Sequence, residues 1–128
     1  MSESTSNAIG NPFHIYLYNA DRSPLPISFE TAIQRLSGVP RLYAEPDGSL
    51  VWCGENPAGS ISADPPWRIF GMLYDFADQL QYVDLRGSCP KTHWTQLCEM
   101  LQVPSDASTL QLPDQRLISL RQFESETW

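Results

Sequence analysis

No cluster of basic residues occurs in this chain. Arg22, Arg35, Arg41, Arg68, Arg86, Lys91, Arg116 and Arg121 stand singly against 15 acidic residues, and the net charge is -7. Such a balance repels phosphate backbones, so nucleic acid is excluded as a partner. Long apolar runs are missing as well. Nothing approaches the roughly 18 residues of a membrane-spanning helix, and the polar opening MSESTSNAIGNP has neither the basic start nor the apolar stretch of an export signal. The 3 cysteines, Cys53, Cys89 and Cys98, are odd in number and form no CxxC pair, and the 2 histidines, His14 and His93, form no HxxxH. No metal site and no cofactor are expected, and free thiols in a reducing cytoplasm are the reading. Glycine-rich phosphate loops and the GxSxG elbow are absent too, which removes support for nucleotide-dependent chemistry and for hydrolases of that type.

What is present describes a globular domain. Of the 128 residues, 41% are hydrophobic, enough for one core without staples. The 11 prolines fall mostly between periodic segments, as loop punctuation. Residues 1–11 read as a flexible tail, 12–124 as one domain, and 125–128 as a loose end, although Trp128 has the bulk to dock.

The periodicities give an order. FHIYLYN (13–19) alternates as a strand with apolar residues on both faces. SFETAIQRLSG is an amphipathic helix with Ser28 as its cap, Phe29, Ala32, Ile33 and Leu36 on one side and Gly38 at its end. RLYAEPDGSLVWCGE is a hairpin turning on Pro46, Asp47 and Gly48. Residues 55–66 form a long loop. Residues 67–87 form a second hairpin that turns near Phe76 to Gln79, and Gly71 within it marks a bulge or a close backbone contact. A helix runs from Pro90 to Gln102, with Ser88 as its cap and Trp94, Leu97, Cys98 and Leu101 buried. Residues 103–115 show no pattern, and 116–124 alternate as a last strand. The expected fold is α+β: a mainly antiparallel sheet of about six strands and two helices, in the order β-α-β-β-β-β-α-β.

One stretch raises a question of chemistry. YVDLRGSCPKTHW (82–94) sets Cys89 at a helix start and His93 one turn on. Unpaired N–H groups and the helix dipole favour a thiolate there, and an imidazolium four residues away would favour it further. Against this, capping alone explains a Ser-Cys-Pro sequence, and no residue is marked out to orient His93. Asp84 is the third candidate. It faces with Leu80 and Tyr82 in a strand expected to be central, and a buried acid there needs a partner, with Arg86 and Arg68 in reach.

The remaining signal is aromatic. The chain has 4 tryptophans and 5 tyrosines, and Trp52, Trp67, Tyr43 and Tyr82 are the candidate binding residues on the expected strands, beside Tyr16 and Tyr18. A sheet with helices on one face leaves the other to be covered, and aromatics are favoured interface anchors. The leading expectation is a non-catalytic, adaptor or chaperone-like domain that binds a protein, with homodimerisation as one form. The alternatives are a thiol enzyme or redox sensor using Cys89 and His93, and a small-ligand module with a pocket under the 55–66 loop.

Overall fold

The computed structural model describes residues 8–56, 64–104 and 108–128. Seven strands form one antiparallel sheet in the order β2-β3-β4-β5-β1-β6-β7. The strands are β1 (Phe13–Tyr18), β2 (Leu42–Ala44), β3 (Ser49–Cys53), β4 (Arg68–Phe76), β5 (Gln79–Ser88), β6 (Thr109–Gln111) and β7 (Leu117–Ser119). Three α-helices accompany them: α1 (Phe29–Ser37), α2 (Lys91–Met100) and α3 (Leu120–Thr127).

Local chemistry explains most of these elements. The Ser28 side chain accepts from the Thr31 amide and caps α1, whose Ala32 and Leu36 are buried, and Gly38 closes the helix. In the β2–β3 turn, Asp47 accepts from both the amide and the hydroxyl of Ser49. Gly48 has φ +99, and a Cβ there would lie 2.6 Å from the Leu73 carbonyl oxygen, so only glycine suits the position. Gly71 marks a close contact rather than a bulge, since a Cβ on it would lie 2.8 Å from Leu85 Cδ2. The irregularity sits at Tyr74/Asp75 instead, where Tyr74 pairs with Tyr82 and Asp75 with Leu80. Gln81 is therefore unopposed, and the extra residue turns Leu80 inward with Val83 and Leu85.

Several expectations are corrected. Ser88 does not cap α2: it ends β5, and Pro90 stands at the N-cap with no side-chain hydrogen bond. The segment without pattern, 103–115, contains a strand that was not expected, β6, whose central Leu110 is buried. The expected last strand, 116–124, is a strand only through Ser119. That residue then caps α3 by accepting from the Gln122 amide, so the described residues form three α-helices rather than two. Residues 125–128 are not loose: α3 runs to Thr127, and the Trp128 indole donates to the Cys89 carbonyl at 2.9 Å. At the other end, residues 1–7 lie outside the described residues. Gly10 donates to the Cys89 carbonyl and Asn11 to that of Thr127.

All three helices pack on one side of the sheet. Ile15, Leu17, Leu50, Trp52, Ile69, Leu73, Val83, Leu85 and Leu110 point from the strands into a single core with Leu36 of α1, Trp94 and Leu97 of α2, and Phe123 of α3. The strand residues that point the other way are all at least partly exposed, and none is buried.

Candidate functional site

Cys89 lies inside the core at 0% exposure. Burial pushes its thiol from the ordinary 9.0 up to about 12, opposite to the direction a nucleophile needs. His93 turns away to the indoles of Trp52 and Trp67, with ring centroids 5.2 and 4.8 Å off. Burial, and then the charge of Arg41, lower its pKa from 6.5. Among the described residues no hydrogen bond joins Cys89 to His93, and no three metal-ligating side chains converge. Cys98 is also buried, with its thiol raised by burial, while Cys53 is half-buried on β3.

Asp84 takes neither arginine. Its Oδ1 is 3.0 Å from His14 Nε2 on β1, a partner 70 residues away in the sequence. The expected facing of Asp84 with Leu80 is broken by the bulge, whereas that with Tyr82 holds.

The binding candidates divide between the two faces. Trp52 and Trp67 are 2% and 8% exposed and pack edge to face at 5.6 Å in the core, so they are not surface anchors. Tyr43, 64% exposed on the edge strand, and Tyr82 lie on the helix-free face. There the register sets residues in cross-strand rows. Tyr43, Val51, Phe70, Arg86 and His14 form one; Ser49, Met72, Asp84, Tyr16 and Gln111 form the next. In a third, Tyr74 stacks on Tyr82 at 4.7 Å, and Tyr82 stacks on Tyr18 at 5.0 Å. The Arg22 guanidinium covers the far side of Tyr18 at 5.4 Å. Burial, followed by the neighbouring Tyr18, Tyr74, Asp84 and Tyr16, holds the Tyr82 hydroxyl above its ordinary 10.0.

The ring spacing equals the separation of neighbouring strands, about 4.8 Å. The stack therefore runs across the sheet with ring planes upright. Ring edges and hydroxyls, rather than ring faces, meet the solvent. Beside the stack a depression of about 180 Å³ is lined by Phe70, Gly71, Met72, Tyr74, Asp84 and Arg86. Sequence reading missed Phe70, Tyr74 and the His14–Asp84 pair. All four residues lie at the outward positions of alternating strands, which is the signal that would have found them.

The pocket expected under residues 55–66 rests on 57–63, which lie outside the described residues. Among the described residues no helix is long and apolar enough to cross a membrane. No family model, curated protein or solved structure matches the chain.

Proposed function

We propose that this protein is a non-catalytic, adaptor or chaperone-like domain that docks another protein on the helix-free face of its sheet. The observation that carries this reading is the set of touching rings of Tyr74, Tyr82, Tyr18 and Tyr16, with Phe70 and Tyr74 lining one depression beside it, left without a covering layer among the described residues. Phe70 at 44% exposed sits where an interface would bury it. The rings are already stacked on one another without a partner, an arrangement that would lower the entropy lost on binding. The free thiols of Cys53, Cys89 and Cys98 suit a reducing cytoplasm.

Site-specific photo-crosslinking in cells tests the reading. A benzophenone side chain at Phe70 or Tyr74 should give a discrete protein adduct, whether to another protein or to a second copy. The same probe at Gln96, exposed on α2, should give none. Equal adducts from both positions, or none from the sheet, would count against it.

A further inference from the structure

The docking face differs in charge from the rest of the molecule. The chain has 8 basic residues to 15 acidic ones, yet the outward positions of the four central strands hold Arg68 and Arg86 against one carboxylate, Asp84. That carboxylate is already engaged by His14 at 3.0 Å. Arg68 lies over the Phe70 ring at 5.7 Å, and Arg86 lines the depression beside it. Among the described residues neither guanidinium has a hydrogen-bond or ion-pair partner. Arg22 adds a third cation at the end of the tyrosine stack.

The stack has the same preference. Upright rings present their edges, the positive side of the aromatic quadrupole, together with hydroxyl donors. Flat ring faces that would stack on nucleic-acid bases are turned against one another, so the face is not a base-stacking platform. Cations, ring edges and donors together favour carboxylates, and Phe70, Met72 and Val51 alongside favour apolar side chains.

Resting on the docking reading above, we infer that the occupant of this face is an acidic segment of a different protein, rich in Asp or Glu and carrying aromatic or aliphatic side chains. A second copy of this chain fits less well. It would set the same cationic strip against itself, with the one outward-facing carboxylate of the four central strands already paired, and bring together two molecules each of charge -7.

The test is selection of a random-peptide phage library on the full-length protein, repeated on the variant Arg68→Glu/Arg86→Glu. Both side chains are exposed, and thermal unfolding followed by circular dichroism checks that the variant folds. The native protein should enrich peptides combining Asp or Glu with Phe, Trp or Leu. Their affinity should fall about tenfold in the variant and weaken with added salt. The variant should instead select Lys- and Arg-rich peptides, a gain that misfolding does not produce. Enrichment of neutral or basic peptides by the native protein overturns the inference, and so does equal binding of the acidic peptides by the variant. Sedimentation that shows a dimer dissociated by Arg86→Glu replaces the acidic segment with a second copy, and the docking reading survives. Absence of crosslinks from Phe70 and Tyr74 is the separate result that removes the docking reading itself.

Discussion

Burial holds the protons on Cys89 and Cys98 and disfavours one on His93, and this has two measurable effects. Native protein treated with iodoacetamide near pH 8, somewhat below the free-thiol value of about 8.5, should be alkylated at half-buried Cys53, with Cys89 and Cys98 labelled only in denaturant. Peptide mass spectrometry reads this directly, and early labelling of Cys89 would restore the nucleophile. The second effect concerns His93. Its pKa is lowered in the folded state, so the unfolded chain binds the proton more readily. The stability this gives is complete above the unfolded value of about 6.5 and is lost as pH falls through the lowered folded value. Urea midpoints of the native protein should fall more steeply between about pH 7 and 5 than those of His93→Gln. Parallel profiles would show that burial and Arg41 do not penalise the imidazolium.

At the scale of elements, the ends of secondary structure rest on single side chains. Replacing Ser119 by alanine removes the hydroxyl that accepts from the Gln122 amide, and it should cost about 1 kcal/mol in urea unfolding. Gly48→Ala should cost about 2 kcal/mol, because positive φ and the Leu73 carbonyl both oppose a Cβ. Ser119 also shows where sequence reading stops. The spacing Ser119-x-x-Gln122 is a capping-box pattern, yet Leu117, Ile118 and Leu120 read equally well as a strand, and three residues of strand carry too little period to decide. The three residues of β6 were illegible for the same reason. Longer elements with their own caps and turns, α1 and the two hairpins, were legible from residues alone. The candidate site was half legible: alternation marks which tyrosines share a face, but Trp52 and Val51, neighbours on β3, point oppositely. Only the position of the helices says which face is the core.

At the scale of the whole molecule, the two faces should respond oppositely to the same change. Phe70→Lys places charge where water already reaches and should alter stability by less than about 0.5 kcal/mol. Leu73→Lys buries an unpaired ammonium between sheet and helices, and it should prevent folding. Chemical denaturation of the two variants checks this, and a large loss from Phe70→Lys would mean that something covers the helix-free face after all.

The position of β1 governs when the molecule can be assembled. It is the first strand among the described residues but lies between β5 and β6, so during synthesis it leaves the ribosome long before either neighbour exists. The hairpins β2–β3 and β4–β5 close over short loops and can form as they emerge, whereas Ile15 and Leu17 must wait for Leu85, Val83 and Leu110. Folding should therefore be limited by late insertion of the amino-terminal strand. Truncation at Ile15 or Leu17 should mainly speed unfolding, while truncation at Leu73 in the β4–β5 hairpin should slow folding.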